Sequence, residues 1–383
     1  MRIALLTPIL APYRVAAFRA LSDTPGWQLR ILVSAESEFD RSWQVDSGGL
    51  DVETLATLSL PRADRTLHLT SPWAVWRALA RFRPDAVLSS ELGTRSLGAC
   101  LYCRAHGIPW LAWLERTRHR NASAGLARRL IGPALLRCAD AAIVPGREGE
   151  HALREWGVAA KRIFIAPNCH DAPVFEKRLA AIEPNAAQLA LRPALGARAR
   201  IALVVGRLFP VKGIEPLLDA WELLAPELRD DWTLLFVGDG PLAETLDAAS
   251  QRRRPGEIVR VPAVQPAEVV DFYAAADLLV FPSLGDVWGI AVNEAMACGL
   301  PVVCSPLAGA AADLLIPGET GWLGDPREPQ ALAKSLREAL TCGTRRKLGE
   351  RARAQVARHR PEDLAEGFRA ALRAAVLKAG ATL

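Results

Sequence analysis

Two kinds of hydrophobic pattern alternate along the first half of the chain. Short runs of apolar and β-branched residues predict strands at 2–6, 28–33, 86–89, 109–113, 141–144 and 163–166. Between these runs apolar residues recur with helical spacing, which predicts helices at 13–21, 72–82, 97–106, 124–137 and 148–156. Strands that are apolar throughout are buried on both faces. The pattern therefore predicts a parallel sheet with helices on both sides.

The same alternation starts again in the second half, after an interruption. Residues 173–199 contain three prolines and many alanines, which predicts a linker. Strands are then predicted at 201–205, 233–237, 258–261, 278–281 and 301–304, and helices at 214–224, 242–250, 266–275, 290–298 and 330–341. We therefore predict an α/β protein with two Rossmann-like doubly wound domains, 1–172 and 200–360, followed by an amphipathic C-terminal helix within 361–383.

The composition agrees with a folded protein large enough for two domains. The chain has 383 residues, of which 50% are hydrophobic and 23% charged. Its net charge of +5 suits anionic partners such as nucleotides, pyrophosphates or a membrane surface. The sequence has no apolar run near the about 18 residues that span a bilayer, and we expect a buried strand rather than a signal peptide at its start. Seven cysteines without a framework spacing favour a reducing compartment.

The segment 285–305, GDVWGIAVNEAMACGLPVVCS, combines two acids with a predicted helix start. A helix N-terminus leaves backbone N–H groups unpaired and carries partial positive charge, so it can receive a phosphate or another polar ligand. Gly289 lets a ligand approach the backbone closely. If the helix begins near Gly289, Glu294 lies just over one turn inside it and can accept hydrogen bonds from a diol such as ribose. Asp286 precedes the helix, where it can meet the other end of the ligand.

A second candidate follows the predicted strand 201–205, where GRLFPVKG occupies positions 206–213. Its two cations, Arg207 and Lys212, suit a diphosphate, because arginine can bind two oxygens at once and lysine adds a point charge. Both can also stabilise a phosphate leaving group while negative charge develops on it. The alternative is a solvated loop that carries these charges by chance.

Together these two segments resemble retaining glycosyltransferases of the GT-B fold, in particular family 4 with its E-x7-E signature. The order and spacing of the motifs match that family, with the difference that Asp286 stands where the family usually has glutamate. The resemblance implies a GT-B fold, with the two domains facing across a cleft, and transfer of a hexose-type sugar from a nucleotide-diphosphate sugar. It also implies that the C-terminal helix within 361–383 packs back on the first domain. It implies that Arg207 and Lys212 bind the donor pyrophosphate, that Asp286 holds sugar hydroxyls and that Glu294 holds the ribose.

The resemblance extends to further residues around the donor. It implies donor binding by Arg207, Lys212, Gly238, Val264, Asp286, Trp288, Gly289, Ile290, Ala291 and Glu294. A UDP-sugar is favoured over a GDP-sugar, although backbone recognition of the base leaves little side-chain signature. The sequence lacks a loop Asp-x-Asp pair of the kind that holds a metal. We therefore expect cationic side chains and helix N-termini to meet the phosphate charge, with no metal and no cofactor.

The first domain, 1–172, is implied to bind the acceptor, and its motifs are less standard. Tyr13 and Arg14 lie in a PYR variant of the first strand-to-helix loop, where they can meet an acceptor or a donor phosphate. Glu115 takes the place after strand 109–113 where many relatives have histidine, and His119 follows four residues later. Glu115 thereby joins Asp286, Arg207 and Lys212 as a catalytic candidate.

Each of these first-domain residues has a structural alternative. Pro12 can start a helix with Tyr13 packed and Arg14 solvated. Glu115 can pair with a neighbouring arginine, and His119 can be an exposed loop residue.

The segment 116–137 holds six arginines and no acid, and its predicted helix is apolar on one face. Such a helix can lie on an anionic membrane, which suits a lipid-linked acceptor. The alternative is that the basic face of this helix is exposed to solvent and its apolar face packs in the protein core. We expect a cytoplasmic protein at the inner face of the membrane, whose partners are a nucleotide sugar and a glycan or lipid-linked acceptor, with no role for nucleic acid.

Two other functions remain open for such a chain. A sugar-nucleotide epimerase can share the two-domain architecture but would act without an acceptor. A non-catalytic protein could bind the nucleotide sugar without turning it over.

Overall fold

Parallel strands form the two main sheets of the chain, as the alternating pattern predicts. The computed structural model describes residues 1–38, 43, 45–61, 66–119, 126–182, 200–378 and 380. The chain divides into two units. Unit 1 comprises 1–171 and 359–383, and unit 2 comprises 172–358. The predicted α/β class with two Rossmann-like units is confirmed.

The strands of unit 1 are β1 (Arg2–Thr7), β2 (Gln28–Val33), β3 (Val52–Thr54), β4 (Thr57–Pro61), β5 (Thr66–Thr70), β6 (Ala86–Ser90), β7 (Trp110–Trp113), β8 (Ala141–Val144) and β9 (Ile163–Ile165). Its helices are α1 (Pro12–Ser22), α2 (Pro72–Phe82), α3 (Thr94–His106), α4 (Leu126–Arg137), α5 (Arg147–Glu155) and α15 (Pro361–Lys378).

The parallel sheet of unit 1 has the order β3-β2-β1-β6-β7-β8-β9. The chain moves from β1 outward to β2 in one direction and from β6 outward to β7 in the other. The strand order thus reverses between β1 and β6, and ligands of open α/β sheets bind beyond the carboxyl ends of the strands at such a point. Helix α1 covers one face of β1, with Ile3 and Leu5, and helix α3 covers the other, with Ala4 and Leu6.

Helix α15 belongs to unit 1, although unit 2 precedes it in the chain. Its buried face joins the core beneath α1. The Phe368 ring lies 6.4 Å from the ring of Phe18 and 5.1 Å from that of Trp113, measured between centroids. The C-terminal helix therefore completes the core of the first unit.

Unit 2 repeats the architecture on a smaller sheet. Its strands are β10 (Arg200–Val205), β11 (Trp232–Val237), β12 (Ile258–Val261), β13 (Leu278–Phe281), β14 (Val302–Cys304) and β15 (Gly321–Leu323). Its helices are α6 (Ala172–Ala181), α7 (Ile214–Glu222), α8 (Pro226–Asp230), α9 (Ala243–Gln251), α10 (Val269–Ala275), α11 (Ile290–Ala297), α12 (Gly309–Leu314), α13 (Pro329–Thr341) and α14 (Arg345–Val356). The sheet order is β12-β11-β10-β13-β14-β15, so the order reverses between β10 and β13.

The structure adds elements that the hydrophobic pattern did not predict. They include β3, β15 and the antiparallel hairpin of β4 and β5, in addition to the helices α8, α12 and α14. Strands of three residues are too short to show a period, and α14 is mostly polar, so these elements depend on their neighbours in the fold. The predicted linker 173–199 begins with α6, whose Phe175 packs in the core of unit 2. The rest of that linker, 183–199, lies outside the described residues, as do 120–125 of the predicted basic segment.

Candidate active site

The loop after β10 is shaped by a glycine that begins helix α7. Residues Pro210–Lys212 form a single 3-10 turn, and Gly213 follows with φ +71°. A Cβ atom at Gly213 would lie 1.9 Å from the backbone carbonyl oxygen of Pro282. Glycine is therefore required by close approach as well as by its conformation. This approach brings the loop that carries Lys212 against the end of β13.

The loop after β13 is held against the same turn by backbone hydrogen bonds. The backbone N–H of Leu284 donates to the carbonyl oxygen of Val211 over 2.8 Å. The Lys212 ammonium contacts the Asp286 carboxylate, and both side chains are largely buried. Two residues predicted to bind the donor, 74 positions apart, are thus an ion pair where the strand order of unit 2 reverses.

The start of helix α11 is fixed by backbone conformation and by a buried indole. Gly289 has φ +106°, and a Cβ there would lie 2.7 Å from the ring of Phe281. The Trp288 indole N–H donates to the side-chain oxygen of Asn293 over 2.7 Å, and both side chains are buried. Helix α11 begins at Ile290, so Glu294 lies just over one turn inside it.

Glu294 is a partly buried acid with one tyrosine partner. The Tyr273 hydroxyl, on α10, donates to Glu294 Oε2 over 2.8 Å. Loss of hydration raises the pKa of the Glu294 carboxyl to about 7, and the tyrosine hydrogen bond opposes that rise. The carboxyl therefore changes charge near neutral pH, which makes it sensitive to what binds beside it.

The other predicted donor residues occupy the same edge of the sheet. Arg207 follows β10 and lies over the ring of Phe209, with 5.0 Å from its guanidinium carbon to the ring centroid. Ile290 and Ala291 are partly buried in the first turn of α11. The structure thus gathers one set of predicted residues on the loops after β10 and β13: Arg207, Lys212, Asp286, Trp288, Gly289, Ile290, Ala291 and Glu294.

Gly238 and Val264 lie on the neighbouring loops, after β11 and β12. A Cβ at Gly238 would lie 2.0 Å from the Gly206 carbonyl oxygen, which indicates close backbone packing between the loops after β10 and β11. Asp239 accepts from the backbone N–H of Ala263 over 2.8 Å and from Arg260 over 3.2 Å. The GDG turn therefore joins three loops at the edge of the sheet.

The remaining predicted residues belong to unit 1, and two of them are an ion pair. Arg14 Nη2 donates to Glu115 Oε1 over 2.6 Å, and the Asn168 amide donates to the same oxygen over 3.0 Å. Burial alone would lower the pKa of the Arg14 guanidinium, but the Glu115 carboxylate outweighs burial and raises that pKa. Glu115 pairs with Arg14, 101 positions earlier, and among the described residues no ion pair joins it to Arg116 or Arg118.

Tyr13 adjoins Arg14 in the sequence, and His119 lies four residues after Glu115. The surroundings of Tyr13 and His119 differ. The Tyr13 ring packs edge-on against Trp43, with 6.4 Å between centroids. His119 is exposed. Of the basic segment, Arg116 lies over Trp156 and Arg118 pairs with Glu148 over 2.6 Å. These two arginines thus make contacts within unit 1.

Sequence patterns gave no signal for two participants of these sites. Tyr273 was assigned only to a helix, and its contact with Glu294 depends on α10 packing beside α11. Asn168 is not among the predicted site residues, yet its amide donates to the same carboxylate oxygen of Glu115 as Arg14 does. Within the described ranges, groups of histidine, cysteine and acidic residues that could hold a metal ion are absent. The described helices include none long and apolar enough to cross a membrane.

Comparison with known proteins adds two family matches. Residues 191–355 match the family described as glycosyl transferases group 1, and residues 11–169 match the glycosyl transferase 4-like domain. The second match ends before the predicted linker 173–199, and the first begins within that linker and contains every predicted donor residue.

Curated relatives include two named transferases. Sulfoquinovosyl transferase SQD2 of Arabidopsis thaliana is 28% identical over 302 residues, which cover 73% of this chain and 55% of the relative. D-inositol 3-phosphate glycosyltransferase of Thermobispora bispora is 37% identical over 160 residues, which cover 39% of this chain and 37% of the relative. The alignments thus span about half, or less, of the relatives' own length.

A solved structure with a similar fold is HepE of Anabaena, determined in complex with UDP and glucose. It is 17% identical to this chain, with a TM-score of 0.75, and the match covers 97% of this chain and 99% of HepE. At this identity the likeness is evidence for the shared fold alone.

Proposed function

We propose that this chain, which belongs to the GT-B glycosyltransferases of the family 4 type, is a retaining transferase that moves a hexose-type sugar from a nucleotide-diphosphate sugar to a hydroxyl acceptor. The observation that carries the proposal is the set of charged residues where the strand order of unit 2 reverses. There the Lys212 and Asp286 side chains are in contact, and Glu294 lies one turn into the helix that follows.

Each of these residues has a role in the proposed donor complex. Lys212 and Arg207 bind the pyrophosphate, where two cations are better than one because the diphosphate is multiply charged. Asp286, displaced from Lys212 by the phosphate, turns to the sugar hydroxyls. Glu294, once ionised, accepts hydrogen bonds from the ribose diol.

The same cations serve the chemical step. As the bond between the sugar and the phosphate breaks, negative charge grows on the departing phosphate, and Arg207 and Lys212 stabilise it. The phosphate oxygen that leaves then accepts the proton of the attacking hydroxyl on the same face of the sugar. The configuration is retained, and neither a separate general base nor a metal ion is needed in this scheme.

The site residues and the names of similar proteins support a proposal for the donor and the acceptor. We propose a UDP-sugar donor, supported by the UDP and glucose bound to HepE. We propose a glycan or lipid-linked saccharide as acceptor in polysaccharide or glycoconjugate synthesis. The relatives named sulfoquinovosyl transferase and D-inositol 3-phosphate glycosyltransferase support sugar transfer as the general reaction. Glu115, held by Arg14 and Asn168, is proposed to orient the acceptor hydroxyl in unit 1.

A cytoplasmic location at the inner membrane face follows from the proposed lipid-linked acceptor and from the basic segment 116–137. Sedimentation with anionic and with neutral vesicles measures that association. Binding to anionic vesicles alone is the expected result, and equal or absent binding would contradict it.

The test of the donor site uses Glu294→Ala and Lys212→Ala, with the exposed Asp219→Ala on α7 as matched control. Thermal shift against UDP-, GDP- and ADP-sugars measures binding, because a ligand of the folded state raises the melting temperature. We expect a shift with UDP-sugars in the wild type and in the control. The shift and the transfer activity should be lost in both site variants, which remain folded. Near-normal turnover in either site variant would contradict the proposal.

The same assays separate the alternatives. A product formed from the donor without any acceptor would indicate an epimerase. Donor binding without turnover across an acceptor panel would indicate a non-catalytic binding protein.

A further inference from the structure

Unit 1 has its own reversal of strand order, between β1 and β6. Helices α1 and α3 begin at the carboxyl ends of these two strands and cover opposite faces of the sheet. An arginine lies in the first turn of each helix, Arg14 in α1 and Arg95 in α3. The place where an open α/β sheet binds its ligand therefore has two cationic side chains in unit 1.

The Arg95 side chain spans the carboxyl end of β1. Its Nη1 donates to Ser34 Oγ over 2.5 Å, at the end of β2, and its Nη2 donates to the carbonyl oxygen of Ser90 over 3.1 Å, at the end of β6. Because β1 lies between β2 and β6, the guanidinium lies beyond the carboxyl end of β1. The residue is only 5% exposed.

The two arginines differ in how their charge is compensated. Arg14 has the Glu115 carboxylate at 2.6 Å. Among the described residues, the one ion pair of Arg95 is with Glu91, at 3.9 Å, which is too long for a hydrogen bond. The Glu91 side chain is 70% exposed and therefore hydrated. Burial lowers the pKa of the Arg95 guanidinium, and Glu91 only partly opposes this.

Burying a charge without a close, oppositely charged partner costs free energy, so the burial of Arg95 needs an explanation. The Arg95 Nε–H has no hydrogen-bond acceptor in the described structure. Arg95 also donates to the Ser90 hydroxyl over 3.3 Å. Its contacts, with two hydroxyls and one carbonyl, could be made by a neutral donor. None of these contacts requires the positive charge of the guanidinium.

The N-terminus of α3 points to the same ligand chemistry. Helix α3 has no side-chain cap at Gly93, and the buried hydroxyl of Thr94 has no hydrogen-bond partner in the described part of the chain. Uncapped N–H groups and a free hydroxyl favour an oxyanion. Glu91, just before them, has φ +64°, a conformation that non-glycine residues adopt rarely and that often marks functional loops.

We infer that Arg95, with the first turn of α3, forms an oxyanion subsite in unit 1 that binds a phosphate or carboxylate group carried by the acceptor. Glu91, whose side chain is 70% exposed, lies at the edge of this subsite. This inference rests on the proposed function only in naming the acceptor as the carrier of the anion.

Binding is tested first with inorganic phosphate, in a background that lacks the donor-site cations. Isothermal titration of phosphate into the Arg207→Gln, Lys212→Gln protein isolates unit 1. Adding Arg95→Gln should weaken phosphate binding at least tenfold, since about 1.4 kcal/mol separates each tenfold step and a charged hydrogen bond exceeds that. Adding Arg104→Gln, an exposed arginine on the same helix, should leave binding unchanged. Equal binding after both substitutions, or none in the background protein, would overturn the subsite.

The melting temperature of Arg95 variants distinguishes an anion-binding role of this residue from a purely structural one. Because the charge of Arg95 lacks a close partner, Arg95→Met should melt at the same temperature as the wild type or higher when phosphate is absent. A clear drop in melting temperature for both Arg95→Met and Arg95→Gln would show that Arg95 serves to tie β2 to β6, and the inference would fail.

Competition then identifies the carrier of the anion. Glucose 6-phosphate, glucuronate and glucose are titrated against bound phosphate in the same background. Displacement by glucose 6-phosphate assigns the subsite to phosphate esters, and displacement by glucuronate assigns it to carboxylates. Displacement by neutral glucose as efficient as by either acid would overturn the inference.

Turnover finally links the subsite to the proposed reaction. With a UDP-sugar donor, Arg95→Gln should lose transfer to the acidic acceptor at least tenfold while donor affinity stays unchanged. If the proposed function is wrong, donor binding and transfer are absent from the wild type, whereas the phosphate titrations still decide the subsite.

Discussion

At the scale of single residues, Asp286 departs from the E-x7-E signature that the chain otherwise resembles. The residue is one methylene shorter than the usual glutamate, and its carboxylate contacts the Lys212 ammonium. Its backbone carbonyl also accepts from the N–H of Gly309 over 3.1 Å, which fixes the loop. A short side chain on a fixed loop has little freedom to adapt, so the length of the acid matters here.

Asp286→Glu therefore should reduce activity rather than restore a family optimum. The added methylene pushes the carboxylate past Lys212 or strains the packed loop, and misplacement of this kind costs about tenfold or more in rate. Steady-state kcat/KM with a UDP-sugar measures the effect. The exposed Asp219→Glu on α7 serves as control, and a gain in kcat/KM for Asp286→Glu would contradict the expectation.

The Glu294 carboxyl makes donor binding depend on pH. Its pKa of about 7 means that it is neutral in acid and charged in base, and the charged form is the better acceptor for a diol. Donor affinity should therefore rise as pH increases through about 7. The Tyr273 hydrogen bond lowers this pKa, so Tyr273→Phe should move the midpoint to higher pH.

Titration of a UDP-sugar between acid and alkaline pH measures both midpoints. Glu294→Gln provides the control, because it cannot ionise and should bind the donor weakly with no midpoint near 7. A Tyr273→Phe midpoint at lower pH than wild type would contradict this assignment.

At the scale of elements, glycines determine how closely the loops of unit 2 approach one another. Gly213 and Gly107 have nearly the same φ, +71° and +68°, but different surroundings. A Cβ at Gly213 would lie 1.9 Å from a backbone oxygen, whereas a Cβ at Gly107 meets no atom within 4 Å. Comparing these two glycines therefore separates the effect of backbone conformation from the effect of steric contact.

Gly213→Ala should therefore destabilise the protein well beyond Gly107→Ala. The left-handed conformation costs each alanine about 1–2 kcal/mol, and at Gly213 the backbone of β13 must also move. Chemical denaturation measures the free energy of unfolding. Gly213→Ala should also weaken donor binding, because Lys212 moves with the loop, and equal destabilisation by the two substitutions would contradict the packing argument.

At the scale of the whole molecule, unit 1 is built from two stretches of the chain that are not consecutive in sequence. The chain leaves unit 1 at 171 and returns to it at 359, where α15 fills the core between α1 and β7. The stability of the first unit therefore depends on the last helix.

Phe368→Ala should destabilise unit 1 by about 3–5 kcal/mol, the usual cost of removing a buried phenylalanine ring. Leu377→Ala on the same helix is the control, because Leu377 is 60% exposed and should change stability little. Hydrogen exchange resolves the effect by unit. Loss of protection confined to unit 2 in Phe368→Ala would contradict the assignment of α15 to unit 1.

The sequence alone predicted the class of fold and the long elements, because burial on both faces leaves continuous apolar runs and helices leave a period. It also predicted the donor loops, because their glycines and charges are local to a few positions. It did not predict β3, β15 or the hairpin, whose few residues are ordered by their neighbours.

Tertiary structure alone decided which distant groups meet. Asp286 with Lys212, Glu115 with Arg14 and Glu294 with Tyr273 are contacts between different elements, 74, 101 and 21 positions apart in the chain. The oxyanion subsite around Arg95 likewise exists only because β1 lies between β2 and β6. Hydrophobic periodicity is a local property of the chain, whereas strand order follows from packing whole elements together. The sequence therefore specified the chemistry available at each loop, and the fold determined which charges remain for a ligand.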